Sequence, residues 1–370
     1  MKVLFITNIP NPYRNDFYNE LGKYVELTVV YEAMGASNQG IRFNWDNEQV
    51  YNYRAIFLNE GDIDEKKLDK QIFRYISRDY NYIFVTNYAY RTEMAVIVFL
   101  KVHHIPYVME IDGGVIRNEN VIKSMLKRFL ISKASAYFSP SAETDKFLLH
   151  YGANKNKINR HPFTSLHKSQ ILEKLPSKKE KTTIRRKLGI VGDNVILGVG
   201  QLIHRKGWDV LLNIAKDIDA DVYILGDGEL RKQYEQIIWD KQITNVHLMG
   251  FQSNEVTSLY YMAADVFVLP TREDIWGLVI NEAMAYGLPV ITTDKCNAGL
   301  ELIQNGINGF VIKKDSEKEL MEAVTRALSE CTILGTLALH EIKDYTIESM
   351  VLTHVNFFQR NNVVEKNDFV

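Results

Sequence analysis

Residues 265–293 read DVFVLPTREDIWGLVINEAMAYGLPVITT. The apolar run that ends at Pro270 has the composition of a strand buried on both faces of a sheet. Good helix formers follow from Leu278 to Tyr286, and Gly287 is a typical stop signal for a helix. A second apolar run begins at Val290. This order of strand, helix and strand predicts an α/β fold with a parallel sheet.

The loop over residues 274–277 comes between the carboxyl end of the first strand and the start of the helix. Ligands bind at this edge of parallel sheets. The backbone amides of Gly277, Leu278 and Val279 lack helical acceptors there, so they can bind an anion. Glu282 follows one turn later on the same helix face, which suits a ribose or sugar hydroxyl. A capped helix with surface acids is the alternative interpretation.

Asp274 and Glu282 are separated by seven residues. This spacing resembles the carboxylate-x7-Glu signature of family-four retaining glycosyltransferases of the GT-B fold. The resemblance implies that Glu282 holds the nucleotide ribose and that the earlier acid holds the donor sugar. Asp274 stands where glutamate is usual in the family, and Trp276 stands where phenylalanine is commoner. Asp274 and its neighbour Glu273 are therefore both candidates for the sugar contact.

Length, charge and cysteine content exclude several classes of protein. The 370 residues suffice for two domains, and the net charge of -2 argues against wholesale nucleic-acid binding. Cys296 and Cys331 are the only cysteines, which predicts neither a disulfide framework nor a zinc cluster and favours a reducing cytoplasm. No apolar run approaches the roughly 20 residues of a membrane-spanning helix. We therefore expect a cytoplasmic protein with peripheral membrane contact at most.

Apolar strand-like runs alternate with helical patterns along the chain, as doubly wound parallel sheets require. We expect two Rossmann-like domains, over residues 1–165 and 190–342. Residues 166–189 are lysine-rich and contain Pro176, which predicts a linker. The GT-B resemblance implies that the two domains face a cleft, with acceptor bound by the first domain and donor by the second. It also implies that a C-terminal helix, within residues 343–370, packs back on the first domain.

A second candidate site follows the first strand of the second domain, where residues 198–207 read GVGQLIHRKG. Ile203 occupies the place of the third glycine of a dinucleotide fingerprint, so NAD binding is not expected. Gly200 allows close backbone approach, while Arg205 and Lys206 supply positive charge to a diphosphate leaving group. Lys206 matches the phosphate-binding lysine of the family, and Gln201 stands where the family has arginine. A solvated basic loop is the alternative.

Gly250 and Phe251 follow a further strand, in the loop that lines the nucleobase in the family. The resemblance implies a base pocket there, although packing would explain Phe251 equally well. The predicted catalytic residues are Lys206, Arg205, Asp274 and Glu282. The predicted donor-binding residues are Gly200, Gly250, Phe251, Trp276, Gly277, Leu278, Val279 and Glu282.

Three segments of the first domain are candidates for acceptor binding. Residues 8–17 read NIPNPYRNDF and resemble the Pro-x-Pro-Tyr-Arg opening of a subgroup that builds bacterial capsule and other surface polysaccharides. Asp112 ends a later strand, and His161 ends the domain. The alternatives are a surface salt bridge at Arg14, a capping role for Asp112 and a hinge role for His161. The predicted acceptor-binding residues are Pro12, Tyr13, Arg14, Asp112, Gly113 and His161.

The predicted chemistry follows from charge. Breaking the bond from an anomeric carbon to diphosphate develops negative charge, which cations and helix amides stabilise. The resemblance implies retention of configuration by front-face attack, with a UDP-sugar as the commonest donor. The implied activity is that of a hexosyl- or N-acetylhexosaminyltransferase. The implied acceptor is a glycan or an undecaprenyl-type lipid-linked oligosaccharide of cell-surface polysaccharide synthesis. We expect no cofactor and no metal, because no His/Cys cluster with ligand spacing occurs.

Two other functions remain open. A GT-B sugar-nucleotide epimerase or hydrolase would use the same nucleotide site without an acceptor. A non-catalytic nucleotide- or glycan-binding relative would bind without transfer.

Basic residues recur on one predicted helix of the first domain and just after it. Their spacing can place several together, which predicts a peripheral contact with the inner face of the cytoplasmic membrane. A merely solvated helix is the alternative. These residues are Lys123, Lys127, Arg128 and Lys133.

Overall fold

The computed structural model describes residues 1–36, 41–42 and 51–367. The chain forms two compact units. The first consists of Met1–Ser165 together with the segment from Tyr345 onwards, and the second consists of Leu166–Asp344.

The first unit is built on a seven-stranded parallel sheet. Its elements are β1 (Lys2–Thr7), α1 (Pro12–Leu21), β2 (Glu26–Tyr31), β3 (Gly35–Ala36), β4 (Ile41–Arg42), β5 (Arg54–Phe57), β6 (Tyr82–Val85), α2 (Arg91–Val102), β7 (Val108–Glu110), α3 (Val121–Ile131), β8 (Ala136–Ser139), α4 (Ala142–His150) and β9 (Ile158–Arg160). The strand order is β5-β2-β1-β6-β7-β8-β9, and β3 and β4 form a separate antiparallel pair.

The second unit is built on a six-stranded parallel sheet in the order β12-β11-β10-β13-β14-β15. Its elements are α5 (Lys178–Leu188), β10 (Val195–Val199), α6 (Trp208–Ile214), β11 (Asp221–Leu225), α7 (Arg231–Asp240), β12 (Val246–Gly250), α8 (Asn254–Ala263), β13 (Val266–Leu269), α9 (Leu278–Ala285), β14 (Val290–Thr293), α10 (Asn297–Leu302), β15 (Gly309–Ile312), α11 (Glu317–Ser329) and α12 (Cys331–Ile342). Helix α13 (Ile347–Asn367) follows and packs against α1 of the first unit. The predicted fold class, two Rossmann-like α/β parallel sheets, is confirmed.

The strands are apolar because helices cover both faces of each sheet. In β1, all residues from Val3 to Ile6 are fully buried. Phe5 stacks on Phe84 of the neighbouring strand β6, with ring centres 4.3 Å apart. None of the helices in the described part of the chain combines the length and the apolar character that a membrane span needs.

The segment over residues 166–189, predicted as a linker, lies within the second unit. Helix α5 begins with a capping box between Ser177 and Glu180. Lys181 and Arg185 then form ion pairs with Asp265 at 2.9 and 2.6 Å. The lysine-rich composition indicated a solvated connection, but two of its cations bind an acid beside the sheet.

Candidate functional site

The order of strands in the second unit reverses between β10 and β13, and the loops after these two strands meet. Thr271 Oγ1 and the Arg272 amide both donate to the Arg205 carbonyl, at 2.9 and 2.7 Å. Gly207 permits this contact, because it has φ 69° and an added Cβ would lie 2.1 Å from the Pro270 carbonyl oxygen. The two loops that the sequence predicts as phosphate- and sugar-binding therefore form one structure.

Lys206 and Asp274 form an ion pair within this structure. Lys206 Nζ lies 2.5 Å from Asp274 Oδ2, and both residues are buried. Arg205 Nη1 lies 3.4 Å from Asp274 Oδ1 and donates to the Glu273 carbonyl at 2.8 Å. Two cations thus contact one carboxylate. The net positive charge of these three groups favours the binding of a diphosphate.

Asp274 also leads into the start of helix α9. Its amide donates to the Lys295 carbonyl at 2.8 Å, which fixes the loop against the segment after β14. Gly277 precedes the helix with φ 99° and ψ 62°, a left-handed conformation that favours glycine. The amides of Leu278 and Val279 begin the helix and have no intrahelical acceptor. The predicted anion-binding amides therefore follow directly from the predicted acid.

The loop before α9 has a buried interior that holds Gly277 in place. The Trp276 indole is buried and donates to Asn281 Oδ1 at 2.9 Å. Cys296 Sγ donates to the Trp276 carbonyl at 3.1 Å, and an added Cβ on Gly277 would lie 2.8 Å from that sulfur. Trp276, predicted to bind the donor, therefore has its side chain directed into the protein, because the indole nitrogen has a partner there.

Glu282 lies one turn into α9, where Tyr261 positions it. Tyr261 Oη donates to Glu282 Oε2 at 3.0 Å, and the Tyr261 ring stacks on Tyr286 with ring centres 5.2 Å apart. Burial, together with the charge of Glu282, raises the pKa of Tyr261 well above its usual value, so the phenol remains a donor. The sequence did not reveal Tyr261, because a tyrosine in an amphipathic helix reads as a core residue.

The remaining donor candidates lie along the same edge of the sheet. The Gly200 amide donates to the Leu225 carbonyl at 2.9 Å, and the Gly226 amide donates to the Gly250 carbonyl at 2.8 Å. The ends of β10, β11 and β12 are thereby joined. Phe251 follows Gly250 and is 85% exposed, so packing does not explain this residue.

In the first unit, three of the predicted acceptor-binding residues converge. Pro12 begins helix α1, which carries Tyr13 and Arg14. Tyr13 Oη donates to Asp112 Oδ2 at 2.7 Å, and Arg14 pairs with the other oxygen of Asp112. Arg14 also pairs with Glu110 at 2.8 Å, and both residues are buried. The alternative of a surface salt bridge at Arg14 is therefore wrong.

Glu110 and His354 were not predicted, although they anchor this cluster. His354 Nε2 lies 3.0 Å from Glu110 Oε2, and Nδ1 lies 2.8 Å from the Met350 carbonyl. Both ring nitrogens of His354 are therefore in contact with oxygen atoms of buried groups. Burial alone would raise the pKa of Glu110, but Arg14 and His354 outweigh it and lower this pKa to about 2.

His161, the last acceptor candidate, is buried in the same cluster. Its ring lies 5.5 Å from that of His354, and its two nitrogens have no hydrogen-bond partner within the described residues. Burial lowers the pKa of His161 to about 3, although Glu110 opposes this shift, so the ring is neutral. Gly113 directly follows Asp112 in the chain. Tyr13 and Asp112 are partly accessible, whereas His161 is not.

Two of the four basic residues predicted for membrane contact bind the first unit itself. Lys127 Nζ lies 2.7 Å from Glu119 Oε2 and 5.2 Å from the centre of the Tyr151 ring. Arg128 donates to the His150 carbonyl at 3.2 Å. These two residues do not belong to a free basic face, because acceptors beside the helix bind them.

Across residues 1–36, 41–42 and 51–367, no three His, Cys, Asp or Glu side chains are grouped so that they could hold a metal ion.

Part of the second unit is similar to a known protein family. Residues 180–337 match the family model described as Glycosyl transferases group 1. This range includes the loops after β10 and β13 and the whole of α9.

The relatives in sequence match over part of their length. An uncharacterized glycosyltransferase of Methanocaldococcus jannaschii is 30% identical over 144 residues, which are 39% of this chain and 41% of that protein. An uncharacterized 41.2 kDa protein from the cps region of Klebsiella pneumoniae is 29% identical over 201 residues, 53% of each chain. The capsular polysaccharide biosynthesis glycosyltransferase CapM of Staphylococcus aureus is 26% identical over 156 residues, 40% of each chain. The chain therefore spans about two fifths to one half of the length of these relatives.

Solved structures match over nearly the whole chain. Sucrose-phosphate synthase of Thermosynechococcus elongatus has a TM-score of 0.77 at 17% identity, covering 98% of this chain and 100% of that chain. HepE of Anabaena, solved in complex with UDP, has a TM-score of 0.74 at 16% identity and covers 100% of both chains. At this identity the similarity concerns the fold. Residues 180–337 are thus similar to glycosyl transferases group 1, and the chain has the GT-B fold.

Proposed function

We propose that this chain is a retaining glycosyltransferase. It moves a sugar from a nucleoside-diphosphate donor, a UDP-sugar, to a glycan or lipid-linked oligosaccharide of cell-surface polysaccharide synthesis. The observation that carries the proposal is the pair of Lys206 and Asp274 between two loops, next to the amino end of α9. The names of CapM and of the UDP-bound HepE structure support the acceptor class and the nucleotide.

In the proposed reaction, the bond between the anomeric carbon and the β-phosphate oxygen breaks, and the electron pair stays on that oxygen. Lys206, Arg205 and the first amides of α9 stabilise the charge that develops there. The acceptor hydroxyl forms the new bond to carbon on the same face, and its proton passes to the departing phosphate. These cations supply the positive charge that phosphate departure needs, and the reaction as proposed uses no metal and no cofactor.

The two acids next to the pair have different roles in this proposal. The carboxylate of Asp274 is held between Lys206 and Arg205, whereas Glu273 meets Arg205 through its backbone carbonyl. Asp274 is therefore the acid that contacts the donor sugar. Glu282, oriented by Tyr261, binds the ribose.

Asp112 is the residue of the first unit that we expect to contact the acceptor. Its side chain is 29% exposed, while Arg14 and Glu110 behind it are almost fully buried. Arg14 and Tyr13 hold the two oxygens of Asp112 in a fixed orientation. We assign Asp112 as the residue that binds an acceptor hydroxyl, and Arg14, Tyr13 and Glu110 as the residues that position it.

A thermal-shift panel of UDP-, GDP-, dTDP- and CDP-sugars tests the donor assignment. A ligand at about 100 times its Kd stabilises the folded state by about 2.7 kcal/mol, which raises the Tm measurably. We expect this shift with UDP-sugars for the wild type and its loss in Lys206→Ala. Lys318→Ala, on an exposed face of α11, is the matched control and keeps the shift. A Lys206→Ala variant that binds like the wild type would contradict the phosphate assignment.

Radiolabelled donor tests the reaction class. The wild type with a cell-envelope lipid or glycan extract should give labelled acceptor, and Asp112→Asn should reduce this product while donor binding persists. Sustained turnover without acceptor that releases an epimer or free sugar identifies an epimerase or hydrolase instead. Donor binding without product from any extract identifies a non-catalytic relative.

A further inference from the structure

Helix α3 of the first unit directs its apolar side chains to solvent. The five side chains that share this outer face are Val121, Ile122, Met125, Leu126 and Phe129, which are 72, 81, 65, 45 and 51% exposed. Their spacing places them on one side of the helix, since residues three and four apart are neighbours. We call these five residues the α3 face. A surface helix normally buries such a stripe against the core of its domain.

The other side of the helix contacts the unit mainly through polar groups. Lys127 is bound by Glu119 and lies near the Tyr151 ring, and Arg128 donates to the His150 carbonyl. Only Leu130 and the residue after it, in the last turn, are buried apolar anchors. Most of the apolar side chains of the helix therefore face outward, while Lys127 and Arg128 are bound by groups of the unit.

The charge around the α3 face is positive. Residues 121–133 read VIKSMLKRFLISK and contain four cations and no acid. Lys101 from helix α2 lies beside this face, with Nζ 4.7 Å from the centre of the Phe129 ring and 3.2 Å from the Leu130 carbonyl, to which it donates. A short helix with an exposed apolar face and basic flanks matches the surface of an anionic bilayer, where the apolar side enters the acyl boundary.

We propose that the α3 face inserts into the interfacial layer of an anionic lipid bilayer and holds the first unit on it. The helix, about 16 Å long from its 11 residues, lies in the plane of the membrane. Insertion of apolar side chains provides the main binding, and Lys123 with Lys133 adds attraction to anionic headgroups. This inference is independent of the donor chemistry, since it rests on one helix of the first unit.

Sedimentation of the full chain with vesicles tests the proposal. The wild type should bind vesicles of phosphatidylglycerol and phosphatidylcholine, and bind pure phosphatidylcholine more weakly. The double variant Ile122→Ser/Met125→Ser should bind about tenfold or more weakly, because two buried apolar contacts are lost. The double variant Ile333→Ser/Leu352→Ser removes two exposed apolar residues elsewhere, which are 65 and 56% exposed, and should bind like the wild type.

Two further measurements keep the outcomes distinct. Phe129→Trp should show a blue-shifted emission on addition of anionic vesicles, which reports entry into the apolar layer. Thermal melting should be unchanged in the double variants, because the substituted side chains are exposed. Absence of wild-type binding, or equal binding by Ile122→Ser/Met125→Ser, would overturn the proposal. So would concentration-dependent self-association that this variant abolishes, since the α3 face would then serve a second copy of the chain.

Discussion

His354 Nε2 lies 3.0 Å from Glu110 Oε2, and this contact joins residues 244 positions apart in the sequence. It ties the last helix to the end of β7, inside a cluster where Arg14 binds the other oxygen of the same carboxylate. Glu110 is fully buried, and its contacts with Arg14 and His354 favour its charged form. The contact therefore fixes α13 on the first unit and orients Arg14 towards Asp112.

We predict that this cluster makes the first unit acid-sensitive. The folded-state pKa of Glu110 is about 2, below the value of about 4.3 for an unfolded glutamate. Its stabilising contribution is therefore present above pH 4.3 and is lost as the pH falls towards 2. Glu110→Gln should lower the free energy of unfolding at pH 7 by about 3–5 kcal/mol and flatten its decline in this pH window.

Urea titrations between pH 2 and pH 7 measure this difference. Glu143→Gln is the control, because Glu143 forms an exposed pair with Lys146 that is worth about 0–1 kcal/mol. Equal slopes for Glu110→Gln and the wild type would show that Glu110 does not carry the effect.

A second prediction separates the two acids beside Lys206. Asp274→Asn removes the charge held between Lys206 and Arg205, and we expect kcat/KM for transfer to fall by about 100-fold or more. Glu273→Gln should cost less than about tenfold, because Glu273 meets Arg205 through its backbone. Steady-state transfer assays, with the donor identified by thermal shift, measure kcat/KM for both variants. A larger loss in Glu273→Gln than in Asp274→Asn would assign the sugar contact to Glu273.

A third prediction concerns two buried acids at the carboxyl edge of the first sheet. Burial raises the pKa of Glu93, and the adjacent carboxyl of Glu32 raises it further. A folded-state pKa above the unfolded value gives stability that is greatest below about pH 4.3 and falls as the pH rises. Glu93→Gln should therefore raise the Tm at pH 8 and give little gain at pH 4. Glu322→Gln, on an exposed helix face, should change neither value. A lower Tm for Glu93→Gln than for the wild type at pH 8 would show that the carboxylate of Glu93 does not destabilise the folded protein.

A fourth prediction uses the two thiols. Burial raises the pKa of Cys296 to about 12, with Asp274 adding to the shift, so little thiolate forms at pH 8. Cys331 is partly exposed and should react with iodoacetamide in the folded protein, whereas Cys296 should react only after denaturation. Mass mapping of the labelled peptides checks this. Rapid labelling of Cys296 in the folded protein would mean that the loop around Gly277 opens readily.

The donor region could be predicted from the sequence because its parts are local. Asp274, the start of α9 and Glu282 fall within nine consecutive residues, in the loop after a strand and in a helix with clear stop signals. The contact of Lys206 with Asp274 also follows from the fold, since both loops leave neighbouring strands of a doubly wound sheet.

The acceptor region depends on contacts that no local pattern records. Glu110 is part of a strand, and His354 lies on the last helix, so only the folded chain brings them together. Helix α3 gives a related case. Its sequence shows an apolar side and a basic side, but periodicity does not tell which of the two faces the protein. Trp276 is a similar case. The family pattern predicts its position in the loop, but the direction of its side chain depends on the hydrogen bond from its indole to Asn281.

The pairing of α13 with α1 also sets an order of events during synthesis. The first unit is interrupted in sequence by the whole of the second unit, so its strands leave the ribosome long before the helix that carries His354. Glu110 gains its contact with His354 only after the whole of the second unit has been translated. The second unit, continuous in sequence, can complete its core first, and the unit whose residues are made earliest reaches its final packing last.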